Sequence, residues 1–445
     1  QGSGASGNPI TLFFEPNAKL SMPVGTLMSM QNVNYIVIDG GTNGIMENTD
    51  NGTALGNHQA VSAIYASGSG NYEVKNLTIR NLYVHTSVAD GSIDFTSNGA
   101  IYANTFGSNI SIHDNVFHDI CWIIIGSVTS GGSGFKVYNN DFYNYDHAIG
   151  GIGGGMAVPA NVAIYNNHFG STANWDTTAN SYHHDGIHVY FGSGLLSGVD
   201  IYNNLFDGNW GANNTGHLFL EGNWNHNDTA SLNKFNIYNN VFVQYPGNTL
   251  NDGFIGGGGA NFNVYNNTFL GASVTNSNCL GIGLNYTFKN NLVSGCTTFV
   301  SSGNSGAFAA GGLSNNVYAN ATPGGNSPYY YGAAVSTLAS WKSLTGQDAN
   351  SVQVSSAGAA SDGHLAAGSA AIGVGANLSS VGISGLLTDK DGVARGSTWD
   401  VGAYEYTGSG GGGTSSFTLT VTKSGSGSGT ITSNDDGSIL VGGTG

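Results

Sequence analysis

The sequence is poor in charged residues, and poorest in positive charge. Only 8% of its 445 residues are charged, and 10 lysines and arginines stand against 26 aspartates and glutamates, for a net charge of −16. Binding to nucleic acid or to an anionic membrane surface depends on clustered lysine and arginine. We therefore expect neither as a partner, and we expect a monomer. No apolar run approaches the roughly 20 residues that span a bilayer, so no membrane insertion is expected.

Cysteine is scarce as well, because three cysteines cannot build a disulfide framework. Cys279 lies three residues before Ile282, and Cys296 lies three residues before Phe299. If these apolar residues stack on adjacent coils, the two sulfurs share one column, about 4.8 Å apart along the stack. That spacing allows a disulfide. Two buried free thiols are the alternative, and the sequence leaves the choice open.

The sequence also lacks helical periodicity, and a repeated phrase takes its place. The strong copies are VYNNDF from Val137, IYNNHF from Ile164, IYNNLF from Ile201, IYNNVF from Ile237 and VYNNTF from Val264. Weaker copies begin at Ile79, Ile112, Phe288 and Leu313, and successive copies lie 24 to 37 residues apart. A period of 20 to 50 residues is typical of a solenoid, in which each unit buries its apolar face against the next.

Each copy has the pattern of a short strand that ends at a corner. Apolar and other residues alternate through the strand, and the Asn-Asn pair follows. Asparagine tolerates left-handed backbone, so the pair predicts a sharp turn, and its side-chain amides can bond along the stack. A second short apolar run follows in each unit, for example WIII at Trp122, HAIG at His147 and GIHVY at Gly186. Strands joined by loops predict an all-β fold, a parallel β-helix.

The repeat phrase fades after Tyr318, and this sets the predicted domains. Residues 1–320 form the β-helix, and residues 321–406 form a closing segment that covers the open end of the solenoid. Residues 407–416 are a Gly/Ser linker. Residues 417–445 alternate like strands and are interpreted as the beginning of an accessory β module.

Three segments carry a resemblance to a known family. They are GSGASGNPITLFFEPNAKL near the start, the IYNN-x-F coils, and TDKDGVARGSTWDVGAYEY ending at Tyr406. Together they resemble the right-handed parallel β-helix proteins of the pectate-lyase-like superfamily over nearly all of residues 1–406. The last segment resembles the closing sequence of bacterial surface β-helix proteins. The resemblance implies the right-handed fold and an extracellular or cell-surface location.

The same resemblance leaves the activity open. The superfamily includes polysaccharide lyases, glycoside hydrolases, epimerases, tailspikes and surface proteins, and a fold alone does not choose among them. The adjacent aspartates and the GHG run of the polygalacturonases are missing from residues 1–320, the predicted β-helix. No arginine follows a catalytic-looking strand, as the lyases would lead one to expect.

The two longest repeat intervals contain the candidate site. They hold SYHHDGIHVY, from Ser181 to Tyr190, and GHLFLEGNWNHND, from Gly216 to Asp228. If Ile187 and Leu218 point inward, strict alternation turns neighbouring polar side chains outward. The predicted outward patch consists of His188, Tyr190, His217 and Glu221. Asp185, His183 and His184 lie at its edge, with Asp146 and His147 one coil earlier.

These residue types favour acid–base chemistry on a polysaccharide. Glycoside hydrolysis uses two carboxyl groups, roughly 5 to 10 Å apart. We predict Asp185 and Glu221 as this pair, with His188 and His217 assisting. The predicted substrate-binding residues are His147, His183, His184, Tyr190, Asn223 and Trp224. Glycine runs from Gly150 and Gly256 would leave a shallow trough beside them.

No metal site is assigned, and no cofactor is required. His183, His188 and His217 have suitable ligand atoms but no recognisable ligand spacing. Two other functions stay open beside hydrolysis. One is a polysaccharide lyase, in which Ca²⁺ would supply the positive charge that the sequence lacks. The other is a non-catalytic surface or adhesion protein that binds glycan, in which the histidines only cap loops.

An outward column of tyrosines bears on the glycan-binding alternative. It consists of Tyr138, Tyr165, Tyr202, Tyr238 and Tyr265. Sugars stack on exposed rings of this kind. Cross-strand aromatic ladders also stabilise sheets without any ligand, and that is the interpretation we prefer here, with partial cover by the C-terminal segment.

Overall fold

A computed structural model describes most of the chain. The described residues are 2–85, 99–104, 107–127, 132–151, 161–175, 184–191, 198–211, 214–223, 235–257, 261–272, 278–282, 285–302, 308–319 and 327–408. They belong to the first of two compact units, Gln1–Gly411. Residues 409–445 lie outside this description, so the linker and the accessory module stay predictions.

Short strands make up nearly all of the regular structure. The strands up to the candidate site are β1 (Ile10–Phe13), β2 (Lys19–Met22), β3 (Met28–Gln31), β4 (Asn34–Asn48), β5 (Ile64–Ser67), β6 (Gly70–Arg80), β7 (Ile101–Asn104), β8 (Ile110–His113), β9 (Val116–Ser127), β10 (Phe135–Tyr138), β11 (Asp141–Gly150), β12 (Val162–Tyr165), β13 (His168–Phe169) and β14 (His184–Phe191). The next are β15 (Val199–Tyr202), β16 (Leu205–Phe206), β17 (Asn214–Asn223), β18 (Phe235–Tyr238), β19 (Val241–Val243), β20 (Ile255–Gly256), β21 (Phe262–Tyr265) and β22 (Thr268–Leu270). The last are β23 (Tyr286–Lys289), β24 (Leu292–Ser294), β25 (Val300–Ser302), β26 (Phe308–Ser314), β27 (Val317–Ala319), β28 (Tyr329–Tyr331), β29 (Ala334–Val335) and β30 (Val352–Val354).

Helical structure is slight in the described residues. One α-helix, α1, spans Leu338–Thr345, and 3₁₀ turns lie at Ala173–Trp175, Ser379–Val381 and Ser384–Leu387. No helix in this part of the chain has the length and apolarity that crossing a membrane would require.

The strands stack in parallel, and the repeated phrase lies on itself. Val137 of β10 pairs with Ile164, which pairs in turn with Ile201, Ile237 and Val264 on successive coils. The strands after the Asn-Asn corner form a second stack, and the second apolar runs form a third, from β5 through β7, β9, β11, β14 and β17 to β20. The predicted all-β parallel β-helix is confirmed.

The two asparagines of each corner have different tasks. The first takes a left-handed backbone, with φ of 53° at Asn139 and 55° at Asn203. The second is buried and forms an amide ladder along the stack. In this ladder the side chain of Asn167 donates to Oδ1 of Asn204 at 3.1 Å, and Asn204 donates to Asn240 at 3.0 Å. The predicted bonding of amides up and down the stack is confirmed.

Phenylalanines continue the register inside the solenoid. The rings of Phe142 and Phe169 stack 5.0 Å apart, and those of Phe169 and Phe206 stack 4.5 Å apart. Phe206 to Phe242 is 4.8 Å, and all four rings are fully buried. This column follows the corner directly, so the phrase that turns the chain also fills the core.

The tyrosine column is a ladder that is partly covered. The rings of Tyr138, Tyr165, Tyr202 and Tyr238 lie 4.8 Å from each neighbour and nearly parallel. Leu378, Leu386 and Trp399 of the C-terminal segment pack on Tyr238 and Tyr265. Each ring in the middle of this ladder presents its faces to other rings, so those faces are not open to a sugar.

The C-terminal segment contacts the corners of the solenoid from Asn203 onward. Lys390 Nζ donates to the backbone oxygen of Asn203 at 2.9 Å. Arg395 is buried, donates to Oδ1 of Asn239 at 3.1 Å and pairs with Glu405. These contacts follow the side of the solenoid. Trp341 of α1, in the same predicted closing segment, joins the core, with its Nε1 donating to Asp348. The predicted cover of the open end stays a prediction.

Of the two alternatives for Cys279 and Cys296, the structure shows the disulfide. Cys279 and Cys296 form a disulfide with their Cα atoms 5.8 Å apart, whereas Cys121 lies outside this bond and is buried. The register differs from the one that the apolar residues suggested, because Asn278 pairs with Thr298 and Gly281 with Ser301. Cys279 is therefore level with Phe299, and the disulfide joins adjacent coils across an offset of three residues.

Candidate active site

The candidate site lies on the third stack, where β11, β14 and β17 break the rule of alternation. In β14, Gly186 and Ile187 both face the core: Ile187 is fully buried, and a Cβ on Gly186 would lie 3.0 Å from the rings of Phe206 and Trp210. Two successive inward positions make a corner in the strand. The flanking residues Asp185 and His188 therefore point to the same, outer side.

Two outward columns result from this corner. One consists of Trp122, His147, Asp185 and Gly216 on four successive coils. The other consists of Ile125, Gly150, His188 and Phe219 on the same four coils. The stacking register thus brings residues that are far apart in sequence within one side-chain length of each other.

The polar side chains on these columns form a connected cluster. Asp185 Oδ2 lies 3.3 Å from Nε2 of His147 and 3.5 Å from Nδ1 of His188. His147 Nδ1 lies 2.6 Å from Asp146 Oδ2, and His184 Nδ1 lies 2.8 Å from Asp146 Oδ1. We call these five residues the His-Asp cluster. Its two carboxylates each contact two imidazoles.

Burial makes the electrostatics of the cluster strong. Asp185 is 0% exposed, His147 2% and His188 8%. Burial by itself lowers the pKa of His147, but the charge of Asp146 and hydrogen bonds to Asp146 and Asp185 outweigh it and raise the pKa to about 10. Burial by itself raises the pKa of Asp146, but the imidazoles of His147 and His184 hold it well below its usual range. His147 is therefore placed between two carboxylates that favour its protonated form.

Aromatic rings wall the cluster. The indole of Trp122 stacks on the His147 ring at 4.1 Å, and Phe219 meets the edge of His188 at 5.0 Å. Gly150 lies between them because a Cβ there would lie 2.5 Å from the indole of Trp122. The predicted trough is therefore filled at Gly150 by this ring. The later glycines of the two runs, Gly153–Gly155 and Gly258–Gly259, lie outside the described residues.

The structure brings together four of the predicted site residues. Asp185, His188, His147 and His184 all belong to the His-Asp cluster. Asp146, which the sequence placed one coil earlier without assigning it a role, joins His147 to His184, and Asp185 joins His147 to His188. The backbone N–H of Gly216 also donates to Asp185 Oδ1, at 3.3 Å.

The predicted outward orientation of His217 is wrong. Its ring stands 4.4 Å from Trp210, 5.2 Å from Phe254 and 5.7 Å from Phe206, all in the core. His217 occupies the same inward column as Gly186 and Ala148, the first of the two inward positions. Burial among these rings lowers its pKa to about 3, so it is neutral. It does not belong to the candidate site or to a metal site with His188.

The register also separates Glu221 from Asp185. Asp185 pairs with Gly216, and Glu221 follows five residues later in β17. At about 3.3 Å per residue this exceeds the 5 to 10 Å of a carboxyl pair. The side chains of Glu221, Tyr190 and Asn223 lie outside the description, as do His183 and Trp224 entirely. Their predicted roles stay predictions, but the juxtaposition of Asp185 and Glu221 finds no support in the register.

Trp122 is the residue that sequence reasoning missed. Trp122 lies in the same column as His147 and Asp185, one coil before His147 and two coils before Asp185. Aligning WIII with HAIG and DGIH would have identified it. The assumption of strict alternation within each run predicted the wrong outward residues, so this alignment was not made.

Comparison with known proteins identifies no family for this chain. No family model matches the chain, and a search of curated proteins finds no significant similarity.

Proposed function

We propose that the protein is an extracellular or cell-surface enzyme that cleaves a polysaccharide at the His-Asp cluster. The observation that carries the proposal is the buried carboxylate of Asp185 between the imidazoles of His147 and His188. A carboxylate that orients an imidazole is a common arrangement for proton transfer. The cluster lies on the side of the third stack that faces away from the core, and a substrate would reach it at His188.

Each residue has a role that follows from its position. His188 has the largest exposed fraction of the three, so it is the group that exchanges a proton with the substrate. Asp185 orients His188 and balances its charge. Asp146 and His147 form the inner part of the cluster and position Asp185. The aromatic walls of Trp122 and Phe219 keep water away and strengthen these interactions.

This arrangement differs from the two-carboxyl mechanism that the sequence suggested. The imidazole of His147 lies between Asp146 and Asp185, so a glycosidic bond has no room between those two carboxylates. Hydrolysis would use His188 with Asp185 as its acid–base couple. Elimination from a uronate is the second candidate, favoured by the presence of imidazole bases where a pair of carboxyl groups was expected.

The test is cleavage of a panel of neutral and acidic polysaccharides, with and without added divalent cations. Reducing ends report either reaction, and absorbance near 235 nm reports the unsaturated product of elimination alone. We expect Asp185→Asn and His188→Gln to lose at least about 100-fold in rate, the usual share of general acid–base catalysis.

His168→Gln is the matched control. His168 also contacts two carboxylates, Asp141 at 2.9 Å and Asp207 at 2.7 Å, but it lies on β13, away from the cluster. Its cleavage rate should stay within twofold of the wild type. Equal losses in all three variants, or no cleavage of any polysaccharide by the wild type, would remove the proposal and favour a glycan-binding protein.

A further inference from the structure

The His-Asp cluster contains three ligand atoms in an arrangement that suits a metal ion. His147 Nε2, Asp185 Oδ2 and one nitrogen of His188 lie within 4.8 Å of one another, and all three residues are buried. From this geometry we propose that the cluster binds one divalent transition-metal ion of the Zn²⁺ type. The sequence assigned no metal site, and the set it considered contained His217, which faces the core.

The distances support metal coordination. In a tetrahedral zinc site the metal–ligand bonds are about 2.0 to 2.1 Å, so neighbouring ligand atoms are about 3.3 to 3.4 Å apart. Asp185 Oδ2 lies 3.3 Å from the His147 nitrogen and 3.5 Å from the His188 nitrogen. The other contacts within the cluster, at 2.6 and 2.8 Å, are those of ordinary hydrogen bonds. Two of the three distances between the candidate ligand atoms thus match a zinc site, and the third, between the two imidazoles, is within 4.8 Å.

The surroundings of the three ligands support it as well. His147 Nδ1 contacts Asp146 at 2.6 Å, so in the neutral tautomer Nδ1–H donates to this carboxylate and the Nε2 lone pair is directed towards Asp185. A carboxylate behind a ligating histidine is the usual outer-sphere partner of zinc. The Asp185 oxygen that faces away from the ion accepts from Gly216 N. Both ligands are therefore oriented by residues behind them.

Charge balance and ligand type identify the class of ion. A divalent cation with neutral histidines offsets the charges of Asp185 and Asp146, so the buried cluster becomes neutral. Two imidazoles and one carboxylate suit zinc, cobalt or iron(II), whereas calcium prefers six to eight oxygens. Three protein ligands leave a coordination position for water or substrate, as catalytic zinc sites do.

This inference rests on the proposed function, because it concerns the same three residues. His147 and His188 would be ligands in that state, and a metal-bound water would take over the proton transfer. The ion would also supply a positive charge for the carboxylate of an acidic polysaccharide. The chain has only two arginines for that task, and Arg395 is buried in the C-terminal segment.

The test measures binding itself, with the whole chain. Protein stripped with a chelator is titrated with Zn²⁺ by calorimetry and with Co²⁺ by visible absorption. We expect one ion per chain and a tetrahedral cobalt spectrum. Asp185→Asn and His188→Ala should weaken binding at least 10-fold, and Asp146→Asn, behind the ligand, by about 10- to 100-fold. His168→Gln should bind like the wild type.

The absence of stoichiometric binding by the wild type would overturn the inference. Unchanged affinity in Asp185→Asn would overturn it as well. Circular dichroism checks that each variant is folded. X-ray absorption of the zinc-loaded wild type needs no variant, and a zinc shell without two imidazoles would also refute the site. Cleavage by the stripped protein at full rate, without binding, would leave the proposed function standing and refute the metal site alone.

Discussion

The backbone amide of Gly216 donates to Oδ1 of Asp185 at 3.3 Å, across the parallel pair of β14 and β17. This contact places a glycine where a second carboxyl group was expected. It also ties the position of Asp185 to the packing of β17, because the amide can donate only while the two strands keep their register.

Gly216→Ala should therefore lower the stability. A Cβ at this position would lie 2.8 Å from the carbonyl oxygen of Gly253 and 3.2 Å from that of Leu218, so β17 must shift. We expect a loss of about 1–3 kcal/mol in the free energy of unfolding, the usual cost of overpacking. Urea unfolding measures it. Gly396→Ala is the control, since no atom lies within 4 Å of its added Cβ, and its stability should change by less than about 0.5 kcal/mol.

The amide ladder predicts unequal roles for Asn203 and Asn204. Asn204→Ala removes the bonds to Ile164 O at 2.9 Å and Asn240 Oδ1 at 3.0 Å, and leaves the buried amide of Asn167 without its acceptor. We expect a loss of about 3 kcal/mol or more. Asn203→Gly keeps the left-handed φ of 55° available, so it should cost less than about 1 kcal/mol. Thermal unfolding of the two variants compares them, and equal losses would contradict the division of tasks.

The buried His217 predicts acid sensitivity of the fold. Its pKa is about 3 in the folded chain and about 6.5 when unfolded, so the unfolded state takes up a proton first as the pH falls. The stability that neutral His217 contributes is complete above pH 6.5 and is lost progressively between pH 6.5 and 3. At pH 4.5 the loss in the free energy of unfolding is about 2.5 kcal/mol.

His217→Phe tests this and the orientation of the ring together. Phenylalanine continues the rings of Phe206 and Phe242, so the variant should lose less stability than the wild type between pH 7 and 4.5, by about 2.5 kcal/mol. Denaturant unfolding at both pH values measures the difference. The variant should also keep cleavage activity, whereas an outward catalytic His217 would make it inactive.

His168 predicts a smaller loss of stability, which occurs as the pH rises. Burial by itself lowers its pKa, but hydrogen bonds to Asp141 and Asp207 raise it to about 10. Its contribution is complete below pH 6.5 and is lost as the pH rises to 10. The side chain is 43% exposed, so solvent screening limits the effect to roughly 0.5–1 kcal/mol. Unfolding at pH 6 and 9.5, compared with His168→Gln, measures it; a wild type that gains stability relative to the variant at pH 9.5 would contradict it.

Much of the solenoid could be predicted from residues close together in sequence. The corner at Asn203 and Asn204 follows from the conformational freedom of asparagine, and the pairing of Ile164 with Ile201 follows from aligning two copies of one phrase. In these two places, each residue's neighbour is its equivalent in the next repeat. The disulfide between Cys279 and Cys296 did not follow from such an alignment, because the register of their coils is offset from the one that the apolar residues suggest.

The site was harder, because alternation fails where a strand turns. Asp185 and His188 could be chosen as site residues from their residue types. The inward orientation of both Gly186 and Ile187 between them could not be predicted. That turn sends His217 into the core and brings His147, from the preceding coil, to Asp185. The role of Trp122 depends on the same corner.

The sequence by itself thus determined the parallel β-helix, its corners and its amide ladder, because backbone conformation and repeat alignment are local properties of a repeated phrase. Only the tertiary structure decided which polar side chains meet. The direction of a side chain at a corner depends on where the core lies, and the partner of Asp185 depends on the register of strands from three coils. The attachment of Lys390 and Arg395 to the corners of Asn203 and Asn239 was decided in the same way, across more than 150 residues of chain.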